Sequence, residues 1–587
     1  MFTMKHKKIA KVTSFALAAC MLLSACGTGK AASSTAGTTS KAAGTTSSAA
    51  ATGDSSIKTI KATDPSKLPS AAKSRDKDTF IYGVADMSGK FNQFFAESAD
   101  DWHVSIPISG STLQDSDDKG NLIDGTASMN VSSDGLTYTF KLKYDDKYSD
   151  GSPVKVADYV NYYKIICDKS YDGPINSLVS YNVTGSQDYY DGKADTIKGI
   201  TTPDDKTIVV KLDKVNSSAQ YSLGGAYPVS TAKYGSLIKH GDLKAFKALD
   251  MKNGVTNGPY TLSEYKEGQH ATIKANKNFY KGAPKVGTII VKTVAQGAEM
   301  QAVTTGEVDI DDEVTCNADQ IAIGQKAGFI NMQIEPTLGY GWVGLNHTNP
   351  LFKDVKVRQA LLYAIDRKGV VKAVYGDYAH VQNINQTAES WLYTTDGINP
   401  YDYDLKKAES LLAEAGWKKD SSGKLMKDGK EFKFTFTASK GNSVTDVLVP
   451  AMIKSYKTLG INMQAEYVDW PTLQNKFTKL TYDMSFMAWG LSTDPDDSYI
   501  YKTKGSENYL GYSNPELDKA YATALATGDK TARKAAYAKV YQTINTDLPN
   551  YIIYQRSDCI AYNTRFKTFK YSPYVQAFNQ YYNFELQ

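Results

Sequence analysis

Residues 137–143 read TYTFKLK, and a few positions later residues 148–164 read YSDGSPVKVADYVNYYK. In the first stretch Tyr138, Phe140 and Leu142 alternate with polar neighbours, the period-two pattern of a half-buried strand. Ser149-Asp150-Gly151-Ser152-Pro153 then gathers turn formers, and the pattern beyond them predicts a helix near Val156–Ile166. The same succession recurs further on. Glu431–Thr437 places Phe432, Phe434 and Phe436 on one face of a strand. Asp404–Ala415 spaces Leu405, Ala408, Leu411, Leu412 and Ala415 as a helix does, opening on a capping Asp404 and stopping at Gly416. Val355–Asp366 predicts another helix after Asp354, with Val355, Leu361, Leu362 and Ile365 as its apolar stripe. Alternating strands and helices indicate a mixed α/β architecture rather than a helical array or an all-β sandwich.

The chain begins differently. Lys5, Lys7, Lys8 and Lys11 precede the apolar run Val12–Leu22, and Leu23-Ser24-Ala25-Cys26 closes it with small residues and a cysteine, the form of a lipoprotein export signal with Cys26 as the lipidated residue. The run is too short to span a bilayer as a permanent helix. Removing residues 1–25 takes four lysines and no acid from 67 basic and 63 acidic side chains, so the formal charge falls from +4 to zero. A neutral chain without a dense basic cluster lacks the electrostatic footprint of a nucleic-acid binder. Residues 27–56 hold only Gly, Thr, Lys, Ala, Ser and Asp and read as a tether with a root-mean-square span of roughly 30 Å. Pro65 and Pro69 predict a stiffer approach, so the tether is taken as 26–77 and the folded body as starting near Asp78.

The usual traces of an enzyme are missing from the sequence. The six histidines never fall at the spacing of a helical metal pair, and neither a phosphate-cradling loop nor a Gly-x-Ser-x-Gly turn occurs. Asp494-Pro495-Asp496-Asp497 could supply a carboxylate pair for hydrolysis, but surface-turn carboxylates are commoner. No metal site or cofactor is expected. Cys167, Cys316 and Cys559 are widely spaced and odd in number, which predicts free buried thiols rather than a disulfide framework. The 41 tyrosines, against 20 phenylalanines, suit surfaces that grip varied ligands as well as they suit cores.

Several segments together resemble the extracytoplasmic solute-binding lipoproteins of peptide ABC importers, the oligopeptide- and dipeptide-binding proteins of solute-binding family 5. In order they are DGLTYTFKLK (134–143) with YSDGSPVKVADYVNYYK (148–164), NGPYTL (257–262), ANKNFYKGAPK (275–285), GEVDI (306–310), GLNHTNPLFKDVKVRQALLYAIDR (344–367), LLAEAGW (411–417) and AWGLSTDPDD (488–497). The resemblance implies a two-lobed periplasmic-binding-protein-like α/β fold, an extra subdomain in the first lobe, and a ligand cleft between lobes that close by hinge motion. Lobe I would take 78–340, with the subdomain at about 121–250. Lobe II would take 341–550, and 551–587 would return to complete lobe I, with chain crossings near Gly341–Asn346 and Tyr551–Arg556. Arg358 and Arg367 are expected as structural ion-pair or capping partners.

The function implied is that of a non-enzymatic, monomeric receptor, held at the bacterial cell membrane by its lipid anchor. It would capture oligopeptides and deliver them to an ABC permease with a cytoplasmic ATPase. Such binders hold an extended peptide mainly through backbone hydrogen bonds, which every sequence offers. By similarity, Ala488, Trp489 and Gly490 lend backbone groups to the ligand and Trp470 lines the cleft. Where enteric relatives carry an aspartate for the peptide ammonium, this chain has Ser492, so Asp494 is the alternative amine partner; Tyr499 and Tyr554 are further candidates. The same scaffold would also serve an oligosaccharide, a metal chelate, a cell-wall fragment or a peptide signal.

Overall fold

The computed structural model describes residues 57–96 and 98–587, so the Cys26 signal and the first part of the tether lie outside the described residues. The folded body starts earlier than Asp78. Lys58–Ile60 pairs antiparallel with Ile330–Pro336, and Asp64 caps a turn that Pro65 opens. Ala72 is fully buried and Arg75 reaches Asp309. The two prolines thus start helical turns packed on the body rather than stiffening a linker.

Strand and helix form where the 137–166 pattern places them, at Thr137–Leu142 and Val156–Ile166. Phe140, Tyr159, Tyr163, Leu178 and Val210 fill a core beneath a four-stranded sheet made by Ala127–Val131, Thr137–Leu142, Thr207–Lys211 and Ile200–Asp204. The helix after Asp404 runs Leu405–Glu414, and Gly416 takes the left-handed φ of +86° that ends it. Of the expected stripe, Val355, Leu361 and Leu362 lie in one helix and Ile365 falls in the break before a second. The first, Val355–Tyr363, stops short, and Asp366 caps a second at Arg367–Tyr375 by accepting the Gly369 N–H. Arg358 pairs with Asp547 at 2.6 Å and donates to the Phe352 and Lys353 carbonyls at 2.8 Å. Arg367 donates to the Ile552 carbonyl at 2.8 Å and the Gln382 carbonyl at 3.1 Å. Both arginines hold loops in place.

One long strand, Asn550–Asn563, joins two sheets. Its first residues pair with Gly339–Leu345 (Asn550 opposite Gly344, Tyr554 opposite Gly341), its last with Ile330–Pro336 (Ser557 opposite Pro336, Asn563 opposite Ile330). The chain therefore crosses between lobes at Thr337–Leu338 and at Gln555–Arg556. The Thr337 N–H donates to the Arg556 carbonyl, and the Gln555 side chain to the Thr337 carbonyl, each at 2.9 Å. The first crossing precedes Gly341 because Gly339–Leu345 is already engaged on both sides by second-lobe pairing.

In the first lobe Thr79–Val84 lies parallel between Thr288–Thr293 and Ile310–Val314. In the second, Lys433–Ser439 lies parallel to Asn462–Val468 and to Met484–Gly490. Register fixes which ends meet. Val314 stands opposite Cys559 and Ile310 opposite Tyr562, so the carboxyl ends of the first lobe's parallel strands point toward the crossing at 555–556. Gly490 stands opposite Gly339, beside the other crossing. Both lobes thus turn strand carboxyl ends toward one crevice, the place where open α/β sheets take ligands.

Many of the tyrosines are core. Tyr163, Tyr456 and Tyr551 are fully buried, their hydroxyls donating to the carbonyls of Leu223, Leu361 and Arg358 at 2.8, 3.1 and 2.8 Å. Cys167, Cys316 and Cys559 are free and buried. Among the described residues no helix is long and apolar enough to cross a membrane.

Candidate ligand crevice

Strand Met484–Gly490 has two unequal sides. One pairs along its whole length with Gly339–Leu345; the other meets Lys433–Ser439 only at Met484 and Ser485. Leu491 donates its N–H to the Leu338 carbonyl at 2.8 Å, toward the paired side. Because antiparallel residues alternate in direction, Trp489 faces that side too, and Ala488 and Gly490 turn their N–H and C=O groups to the side without a strand. Both residues are exposed, and a Cβ added at Gly490 would meet no atom within 4 Å. This is an unpaired edge with room beside it, the arrangement that accepts an extended chain as an added strand.

Trp489 is held by stacking. Its ring lies between Trp342, at 5.8 Å and 7°, and Tyr509, at 6.2 Å and 16°, while its indole N–H is buried without a partner. Trp470 is the first residue of the Trp470–Thr478 helix, whose Asp469 cap accepts the Thr472 N–H, and its side chain is 46% exposed. It follows the carboxyl end of Asn462–Val468, on the same side as Gly490. Where the chain leaves the strand after Gly490 it enters the wall of a cavity of about 480 Å³. Leu491, Ser492 and Thr493 of the second lobe line it, together with Trp102, Tyr280 and Tyr574 of the first. Ser492 therefore faces both lobes.

Asp494, Tyr499 and Tyr554 have internal partners. Asp494 accepts from Ser218 Oγ at 3.1 Å and from the Asp496 N–H at 3.2 Å, and lies 3.5 Å from Arg533. Desolvation by burial, aided by Asp496, raises its carboxyl to about 7 against the pull of Arg533. Ser218 belongs to the first lobe and Arg533 to the second, so this cluster ties the lobes together, alongside the Ser217 N–H to the Leu525 carbonyl at 2.9 Å. Asp497 accepts the Tyr521 hydroxyl at 2.7 Å and Asp496 the Tyr537 hydroxyl at 3.0 Å. Tyr499 is half-buried against the aromatic cluster around Trp489. Tyr554 is 5% exposed, its hydroxyl accepts that of Tyr375 at 3.1 Å, and a Cβ at Gly341 would collide with its ring. Its place is between sheet and helix, away from the edge.

Sequence reasoning missed the first-lobe wall of the cavity. Gly110, Ser111, Thr112, Tyr280 and Tyr574 come from three distant segments, and only the fold makes them neighbours. Among the described residues no group of His, Cys, Asp and Glu is arranged to hold a metal ion.

Two α/β lobes joined by paired crossing strands, with strand ends turned to a shared crevice, define the two-lobed class of solute-binding proteins. The chain belongs to the bacterial extracellular solute-binding proteins, family 5, whose middle-region model matches residues 113–511. It is 28% identical over 545 residues to the oligopeptide-binding protein AppA of Bacillus subtilis (strain 168), covering 89% of this chain and 95% of that protein. The structure of Bacillus subtilis AppA in complex with a nonapeptide is similar at a TM-score of 0.74 and 25% identity, over 87% of this chain and 99% of that one. Lactococcal OppA, complexed with an endogenous peptide in the closed conformation, shares the fold at a TM-score of 0.76 and 20% identity, over 86% and 99% of the two chains.

Proposed function

We propose that this protein captures oligopeptides between its lobes and passes them to a membrane permease driven by a cytoplasmic ATPase, performing no chemistry itself. The observation that carries the reading is the unpaired edge at Ala488 and Gly490, which runs directly into Leu491, Ser492 and Thr493 in the wall of the interlobe cavity. Backbone groups there offer hydrogen bonds that do not depend on peptide sequence. The lobes divide at the Thr337–Leu338 and Gln555–Arg556 crossings, and the cluster of Ser218, Asp494 and Arg533 helps hold them closed. Trp470 and Trp489 flank the strand ends that receive the ligand, and Ser492 lies at its far end. Cys26 carries the lipid that keeps this monomer at the membrane, and the tether raises its concentration at the permease. Mass spectrometry of ligand co-purified with the chain, followed by calorimetric titration with a mixed peptide pool, tests the reading. Peptides in the cleft and heat of binding are expected; recovery of non-peptide solutes alone would contradict it.

A further inference from the structure

Two of the three thiols share one core. Cys316 and Cys559 both pack in the first-lobe cluster that holds Val294, Met300, Val314, Ile330 and Met332. Cys167 lies apart, in the core beneath the four-stranded sheet, where it donates to the Ser186 carbonyl at 3.5 Å. The whole second lobe separates Cys316 from Cys559 in the sequence, so only the fold makes them neighbours.

Strand register brings them together. Cys559 lies on the long strand Asn550–Asn563, with Val314 opposite it on one side and Ile334 on the other. Cys316 follows Val314 by two residues, and burial alternates between them: Val314 is buried, Thr315 exposed and Cys316 buried again. Alternation puts Cys316 on the face that Val314 shares with Cys559, at the diagonal position across the strand pair. Ladder pairing stops at Val314, so the backbone at Cys316 is not held at ladder spacing. The thiols meet there. A hydrogen-bonding contact with the Cys316 thiol, ahead of burial itself, raises Cys559 above the usual thiol range.

The chain belongs to an extracellular family, and outside the cytoplasm disulfides form and persist. In the reduced fold Cys559 is protonated and both sulfurs are enclosed, which confines oxidation to folding or to opening of the loop at 315–317. We propose that Cys316 and Cys559 form a disulfide site, oxidised to an intramolecular bridge that staples the return strand to the first lobe. The oxidant is an external disulfide, carried by a small thiol or by an extracytoplasmic dithiol oxidoreductase. On opening, the Cys316 thiolate attacks that disulfide and expels one thiolate. The Cys559 thiolate then attacks the mixed disulfide at Cys316 and expels the second. Two cysteine thiols give up two electrons and two protons, and the external disulfide is reduced to two thiols. Because the bridge closes a loop containing the second lobe, it restricts the unfolded chain far more than the folded one. The inference is independent of what the crevice binds.

Incubating the purified mature chain in a mildly alkaline glutathione redox buffer, with urea just below the unfolding midpoint, tests it. Remaining thiols are then alkylated under denaturing conditions and the peptides mapped by mass spectrometry. Peptides carrying Cys316 and Cys559 should be recovered joined, two hydrogens lighter than their sum, with Cys167 alkylated. The bridged chain should melt about 3–5 °C above the reduced one. Cys316→Ala and Cys559→Ala should each abolish that difference, and Cys167→Ala should keep it. Alkylated Cys316 and Cys559, a glutathione adduct left on either, or a bridge through Cys167 would overturn the inference. So would a bridged chain that melts no higher than the reduced one.

Discussion

Replacing Gly490 by proline separates the unpaired edge from the rest of the fold. The Gly490 N–H points away from strand Gly339–Leu345 and has no protein partner strand there, so its loss costs the folded chain little. Trp489, now preceding proline, is already extended, as that position requires. Proline is tolerated on the unpaired side of an edge strand, so the change should cost the fold less than the loss of a ladder hydrogen bond. A ligand strand would lose one hydrogen bond, worth about 0.5–1.5 kcal/mol net, and would meet the ring at the pairing edge. Affinity should therefore fall about threefold to tenfold or more, with the melting temperature nearly unchanged. Leu491→Pro is the internal control. Its N–H donates to the Leu338 carbonyl at 2.8 Å, so the same substitution one residue later should lower the melting temperature instead. Titration calorimetry and thermal unfolding of both variants decide the matter; wild-type peptide affinity in Gly490→Pro would refute ligand pairing at this edge.

Arg533→Met removes the cation beside Asp494 and its hydrogen bond to Ser218 and should cost about 1–2 kcal/mol by chemical denaturation, because a carboxyl already raised to about 7 takes up a proton instead of staying charged, with Arg533→Met/Asp494→Leu recovering part of that loss. Full additivity of the two single changes would contradict their coupling. The ligand-free chain should lose stability as pH rises from about 6.5 to 8.5. Carboxyls raised to about 7 or 8 at Asp312, Asp311 and Glu335 keep protons in the fold that the unfolded chain has released, so their stabilising contribution disappears as pH passes the folded values. His103 and His347, both near 4 in the fold, carry protons only in the unfolded chain, so they oppose the trend up to about pH 7 and cease to do so above it. Thermal melts across pH should show the fall, flattened in Glu335→Gln; a rise would contradict it. Tyr554→Phe should lose about 1 kcal/mol of stability with its Tyr375 hydrogen bond and leave ligand affinity intact, since the ring packs on Gly341. A selective loss of binding would place Tyr554 in the site.

Local chemistry was readable where it is self-sufficient. Tyr138, Phe140 and Leu142 declare a strand by period, and Asp404 and Gly416 bracket a helix by cap and left-handed stop, because both signals lie within a few residues. The helix expected to run to Asp366 shows the limit. Its apolar stripe runs on to Ile365, inside the break, and Asp366 acts as the cap of the next helix, which periodicity alone does not register. Lys58–Ile60 was read as linker because its only strand partner lies far along the chain, at Ile330–Pro336. Asp494 is the alternative amine partner that the resemblance implies where Ser492 replaces an aspartate, and no local signal shows its hydrogen bond to Ser218, 276 residues away. Asp311, Asp312 and Glu313 stand together in the sequence, but the carboxylates near them, Asp100, Glu335 and Asp558, arrive from other segments.

The most direct measurement is a crystal structure of the chain with a bound peptide. An extended main chain hydrogen-bonded to Ala488 and Gly490, lying as an added strand between the lobes, is the expected result. A ligand bound in the crevice with no main-chain hydrogen bond to that strand would contradict it.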